Sequence, residues 1–217
     1  MRLTTRGQCR LCGQTFNKAQ MTRHIKSCLA KRGLGSNMLL LVQDRSGLFW
    51  VYVTADASIA LLSVDWALRN LWLECCGHMS AFSDISVMYL EHPESGLPGM
   101  GSTELGMDVS LKKAMQSAET LKYEYDFGST TQLTIRRLAE NVSPVNDENL
   151  AVLARNDLPQ INCLVCEKPA TILMVEDWEP EPYCEACWSD SDERMTLPVI
   201  NSPRMGVCGY DGPSVEP

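Results

Sequence analysis

The sequence predicts an α+β chain in which a central mixed helix/sheet domain is flanked by two small zinc modules. Three observations carry that reading. Short continuous apolar runs, and one segment that alternates with a two-residue period, read as strands. The stretch 61–75 carries apolar residues at helical spacing. Cys9, Cys12, His24 and Cys28 at one end, and Cys163, Cys166, Cys184 and Cys187 at the other, have the spacing of metal knuckles. At 217 residues the chain is long enough for one core with small satellites. The predicted division is a finger at 1–34, a central domain at 37–156, a ribbon at 157–190 and a disordered tail at 191–217.

The first module, Cys9-x2-Cys12-x11-His24-x3-Cys28, has the ligand types and spacing of a C2HC zinc finger. Phe16 and Met21 supply its small apolar core, and Asn17 is the expected N-cap of a helix through Cys28. A unit of this size buries too little surface to fold alone, so the metal must contribute folding free energy on the order of 10 kcal/mol. Counting back from His24, the positions that would face base edges are Asn17, Gln20 and Arg23. Lys18, Lys26, Lys31 and Arg32 are placed to neutralise phosphates. A lone finger reads about three base pairs, which also suits a structural cap or a protein-binding knob.

In the central domain, Met38-Leu-Leu-Leu-Val42 and Leu48-Phe-Trp-Val-Tyr-Val53 are expected to be paired strands. Caps within 54–58 open a helix to about Cys76, with Leu61, Val64, Leu68, Leu71, Trp72 and Cys75 inward and Asp65 and Arg69 on the outer face. Gly77 is its expected C-cap. Ser86-Val-Met-Tyr89 reads as a strand, 91–102 as a loop, and Asp108 as the cap of a short helix through Leu111, Ala114 and Met115. Leu121-Lys-Tyr-Glu-Tyr-Asp-Phe-Gly128 and the segment through Ile135 alternate as a β-hairpin. A three-residue loop at 128–130 would set Tyr125 opposite Leu133 and Glu124 opposite Thr134.

Cys75, Cys76 and His78 crowd thiols and an imidazole together where the helix ends. They read either as a nucleophile or ligand set, or as half-buried structural groups. An enzyme built on this corner, 74–78, would need the hairpin turn at Asp126 to meet it in one pocket. Asp126 beside a glycine turn is more often a turn former than a catalyst.

Trp72-Leu-Glu-Cys-Cys-Gly-His-Met-Ser-Ala-Phe82 together with Tyr123-Glu-Tyr-Asp-Phe-Gly128 resembles the plasmid pRiA4b ORF-3-like family, also described as transposon passenger proteins. The similarity spans about 39–156. It implies an α+β central domain and a plasmid or mobile-element context, without an established reaction. The family pattern continues the turn with Asp, then Trp and His on the return strand, where this chain has Ser129, Thr131 and Leu133.

The second module, Cys163-x2-Cys166-x17-Cys184-x2-Cys187, has zinc-ribbon spacing around an expected strand at 171–175. Four thiolates leave no open coordination position, so the metal is structural, and the expected total is two Zn(II) per chain. Cys208 stands alone in the tail as a thiol with no local partner.

Charge divides the chain. Residues 1–35 hold eight Lys/Arg and no acid, while the remainder has eleven Lys/Arg against twenty-seven acids. That asymmetry suits nucleic acid at the basic head and a protein partner at the acidic ribbon. No apolar run approaches the roughly 18 residues of a membrane span, and paired cysteines suit a reducing, cytoplasmic compartment. The leading expectation is a non-enzymatic, zinc-binding adaptor. The alternatives are an enzyme using the 74–78 corner with Asp126, and a purely structural interaction module.

Overall fold

A computed structural model describes residues 4–93, 103–176, 179–188 and 194–213. The architecture is α+β and rich in strand. One ten-stranded sheet dominates, built from β1 (Arg6–Cys9), β2 (Thr15–Asn17), β3 (Leu34–Asp44), β4 (Trp50–Asp56), β5 (Ser80–Ser83), β6 (Val87–Leu90), β7 (Thr103–Gly106), β8 (Thr120–Tyr125), β9 (Thr131–Val142) and β10 (Leu150–Asn156). Their spatial order is β2-β1-β10-β4-β3-β9-β8-β5-β6-β7. All neighbours are antiparallel except β6 and β7. A second sheet, ordered β12-β11-β13, comprises β11 (Ile172–Met174), β12 (Glu181–Tyr183) and β13 (Thr196–Pro198).

The two apolar runs become β3 and β4, paired from Asn37↔Asp56 to Gln43↔Trp50. Their unbroken hydrophobicity has a physical cause, because both faces are covered. On one face Met38, Leu40, Val42, Val51 and Val53 pack with Leu61, Val64, Leu68 and Trp72 from the helical stretch and with Leu121, Tyr123 and Ile135 from β8 and β9. On the other, Leu39, Leu41, Trp50 and Tyr52 pack against Met21, Ile25 and Leu29 of helix α1 (Lys18–Ala30).

The N-terminal finger is therefore continuous with the sheet. Strand β1 pairs with β10 at Gly7↔Asn156, Gln8↔Arg155 and Cys9↔Ala154. The two strands run so close at Gly7 that an added Cβ would sit 2.0 Å from the Arg155 carbonyl oxygen and 2.8 Å from the Trp50 ring. Glycine is required there by close approach.

Several local expectations are revised. The helix expected to reach Cys76 is α2 (Leu61–Leu68), followed by a π-helical turn, Arg69–Leu73, that the Glu74 N–H closes on the Arg69 carbonyl at 2.9 Å. The wider turn rotates Leu71, Trp72 and Leu73 all inward. Asp56 forms a turn with Ser58 instead of capping the helix, and the Leu61 and Leu62 N–H groups donate to the Val109 and Met107 carbonyls. Ser110, not Asp108, caps α3 (Leu111–Ala114). Gly77, with φ +75°, lies beyond the helical end and donates its N–H to Glu74.

The hairpin pairs Tyr125 with Thr131, Tyr123 with Leu133 and Leu121 with Ile135. This is two residues from the expected register. Because the shift is even, each side chain keeps its expected face. The loop spans 126–130 because Asp126 takes a left-handed conformation (φ 63°) and its Oδ1 accepts the Gly128 N–H at 3.0 Å.

The expected loop at 91–102 lies outside the described residues from 94 onward. Of the tail expected to be disordered, 194–213 contains β13, paired with β11, and Arg204 and Tyr210, both buried. Its polar residues are ordered because they meet buried partners, as described below. Among the described residues no helix is long and apolar enough to cross a membrane.

Gly7→Ala is expected to destabilise the protein by about 1–3 kcal/mol through overpacking at the β1/β10 crossing, read from the urea midpoint. An unchanged midpoint would contradict the close approach.

Candidate metal centres

Among the described residues, three clusters bring four Cys/His ligand atoms within 4.8 Å of one another: Cys9, Cys12, His24 and Cys28; Cys163, Cys166, Cys184 and Cys187; and Cys75, Cys76, His78 and Cys208. The expected count of two candidate centres is thus corrected to three. All ten cysteines are free thiols.

In the finger, Cys9 ends β1 and Cys12 lies in the knuckle, where the Gly13 N–H donates to the Cys9 carbonyl at 2.7 Å. His24 and Cys28 stand one turn apart on α1, so both face the knuckle. His24 Nε2 lies 3.1 Å from Cys12 Sγ and 3.3 Å from Cys28 Sγ, and Phe16 packs on the His24 ring at 4.4 Å. Burial pushes the Cys9 thiol up to about 11, with the neighbouring Cys12 adding to the effect.

The residues expected to meet nucleic acid divide into two groups. Asn17 and Gln20 form a capping box, in which Asn17 Oδ1 accepts the Gln20 N–H and Gln20 Oε1 accepts the Asn17 N–H. Lys18 Nζ bonds Gln43 and the Gly47 carbonyl at 2.9 and 3.1 Å, and Arg32 donates to the Val145 carbonyl. Arg23, Lys26 and Lys31 are exposed on or just after α1.

In the ribbon, Cys163 and Cys184 are buried at the starts of two knuckles. Glu167, in a left-handed conformation, donates its N–H to the Cys163 carbonyl, and the Cys187 and Trp188 N–H groups donate to the Cys184 carbonyl. Cys166 Sγ and Cys184 Sγ are 3.5 Å apart. Although burial opposes it, the Cys163 thiol is held down at about 6 by backbone donors from the knuckles. Cys187 is pushed up to about 12 by its hydrogen bonds to Cys166 and Cys184. Such crowding of acidic groups in one small space is what a bound cation relieves.

The third cluster draws three members from the loop after the π-helical turn and the fourth, Cys208, from the C-terminal segment. Cys76 Sγ lies 3.6 Å from Cys75 Sγ, 2.9 Å from His78 Nε2 and 3.8 Å from Cys208 Sγ. His78 Nε2 is 3.3 Å from Cys208 Sγ. On its other side, His78 Nδ1 lies 3.6 Å from Asp126 Oδ1, so the hairpin turn and the helix end do meet. Cys208, expected to stand alone, has partners here.

Beneath this cluster is a buried polar network. Asp65 and Arg69, expected on an outer face, are 0% and 3% exposed. Asp65 accepts from Arg69 Nε at 2.7 Å, Ser80 Oγ at 2.6 Å and Tyr123 OH at 2.7 Å. Arg69 also reaches Glu74 at 3.1 Å, and Glu74 accepts from the Tyr125 hydroxyl and the Gly77 N–H. Arg204 donates to Asp126 at 2.6 Å and to Thr131 Oγ1 and the Ser129 carbonyl at 3.1 Å. The Arg69 and Arg204 guanidinium groups lie 5.0 and 4.8 Å from the Tyr125 ring. Burial, then Asp65, drives the Tyr123 phenol well above its ordinary range.

No family model matches the chain, and no curated protein matches it. Among solved structures it is similar to a protein of unknown function from Methanosarcina mazei Go1, at 14% identity and a TM-score of 0.44, over 54% of this chain and 67% of that one.

Two outcomes test the polar network. Arg69→Ala leaves the Asp65 carboxylate buried without its cation and is expected to cost about 3–5 kcal/mol in denaturant unfolding. Tyr123 has a raised folded pKa, so its contribution is present below the unfolded value of about 10 and is lost as pH rises above it. Tyr123→Phe is expected to be less stable than the parent at pH 7 but to lose less stability in going from pH 9 to 11, as measured by urea unfolding at each pH.

Proposed function

We propose that the chain is a zinc-binding, non-enzymatic adaptor whose basic N-terminal finger associates with nucleic acid. One observation carries this reading. Helix α1 is fixed by its buried face, Met21, Ile25 and Leu29, while Arg23 and Lys26 project from its exposed face with Lys31 just beyond, in a segment of 35 residues without a single acid. A rigid helix with unopposed cations outward suits a phosphate backbone. Asn17 and Gln20 are committed in part to capping, which favours backbone contact over base reading. The acidic region from Asp157 onward, with twelve acids against Lys168, Arg194 and Arg204, suits a protein partner. The resemblance to the pRiA4b ORF-3-like family adds a plasmid or mobile-element context to this reading.

An enzyme is the second reading, favoured by the sequence of groups Cys76, His78 and Asp126, a thiol, an imidazole and a carboxylate in line. Against it, Cys208 competes for the same imidazole nitrogen and Arg204 holds the carboxylate from the other side.

Deleting the finger would remove two strands of the main sheet, so the test uses surface substitutions. Arg23→Gln, Lys26→Gln and Lys31→Gln, combined in the full chain, are expected to weaken DNA or RNA retention in mobility shifts. The slope of log K against log salt should fall by about 0.9 per lost contact on duplex DNA. Unchanged retention by the folded triple variant would defeat the nucleic-acid reading and leave an interaction module.

A further inference from the structure

We propose that Cys75, Cys76, His78 and Cys208 form a third structural zinc centre, which staples the C-terminal segment 194–213 onto the central domain. This goes beyond the nucleic-acid reading and does not depend on it.

The ligand set is three thiols and one imidazole, a donor set that suits Zn(II). A tetrahedron with Zn–S bonds of about 2.3 Å and a Zn–N bond of about 2.0 Å has S···S edges of about 3.8 Å and S···N edges of about 3.5 Å. The two S···S separations from Cys76, 3.6 and 3.8 Å, lie near the S···S edge. The His78 Nε2 separations from Cys76 and Cys208, 2.9 and 3.3 Å, are shorter than the S···N edge, and all four ligand atoms lie within 4.8 Å of one another. Four protein ligands fill the coordination sphere and leave no position for a reactive water, so the ion would be structural.

The surroundings supply what a zinc histidine needs. Asp126 Oδ1 faces His78 Nδ1 at 3.6 Å, beyond hydrogen-bond distance, and its charge favours a proton on Nδ1, which leaves the Nε2 lone pair toward the thiols. Arg204 fixes Asp126 through the opposite oxygen at 2.6 Å. Three thiolates around one Zn(II) carry a net negative charge, and the Arg204 guanidinium beside the Cys75 thiol offsets it. Arg204 and Cys208 belong to one short segment, so the segment that fixes Asp126 also delivers the fourth ligand. The same segment is anchored on the far side, where Ser202 Oγ donates to the Trp72 carbonyl at 2.7 Å and Asn201 exchanges hydrogen bonds with Asn156 at 2.6 and 2.8 Å.

The test counts zinc by elemental mass spectrometry in the purified full chain and in Cys208→Ser, with circular dichroism verifying that both are folded. The wild type is expected to hold one zinc ion per chain more than Cys208→Ser, whatever the loading of the other two centres. Equal zinc content in the two folded proteins overturns the proposal. Should the variant fail to fold, iodoacetamide labelling of the wild type decides. Cys76 and Cys208, both exposed, should resist labelling in the zinc-loaded protein and react once a chelator is added. Prompt labelling of the zinc-loaded protein, or a disulfide involving Cys76 or Cys208, would overturn the proposal.

Discussion

Burial of β3 and β4 on both faces is the constraint on which the rest of the molecule depends. A strand pair made of Leu, Val, Trp and Tyr on alternate sides cannot leave either side in water. One face is covered by α2, the π-helical turn and α3, and the other by α1. Helix α1 carries two finger ligands on the turns that also bury Met21, Ile25 and Leu29. The N-terminal Cys/His cluster is consequently held by the main core, so its geometry and the packing of that face of the sheet depend on each other.

The second organising element is polar. Tyr125 is where the buried networks meet: its ring lies against two guanidinium groups, its hydroxyl donates to Glu74, and the His78 ring stands edge-on to it at 5.7 Å. Charged groups at this depth are tolerable because nearly every one is paired and hydrogen-bonded. They also set geometry. The Asp65–Arg69–Glu74 chain fixes the end of the helical stretch, and Glu74 holds the Gly77 N–H, so the loop bearing Cys75, Cys76 and His78 leaves the core in one direction.

What could be read in the sequence was what is encoded locally. The finger and ribbon ligands have short, diagnostic spacings. The strands β3 and β4 are continuous apolar runs, and Leu61 to Trp72 keeps a helical period up to the π-turn. Strand β10 has no local signature, because Leu150-Ala-Val-Leu-Ala-Arg155 shows no alternation; it lies between β1 and β4, with a register irregularity between Val152 and Ala154. Asp65 and Arg69 have the spacing of an exposed ion pair; Tyr123 and Ser80, which help bury them, arrive from distant segments. The third cluster was half visible. Cys75, Cys76 and His78 stood out, but no local pattern ties Cys208 to them. Arg204, six residues after the end of β13 at Pro198 in a polar tail, carries no local sign that it is fully buried.

The distance along the chain between Cys76 and Cys208, 132 residues, has a kinetic meaning. The finger ligands span 9–28 and the ribbon ligands 163–187, loops short enough to close while most of the chain is still unordered. The third set needs the loop after the π-helical turn and the C-terminal segment brought together, with Asp126 of the hairpin turn beside His78. Such a long closure comes late in folding, because the entropy of bringing distant segments together is repaid only once the core exists. On loop-closure entropy alone, this cluster is expected to be among the last of the described contacts to close.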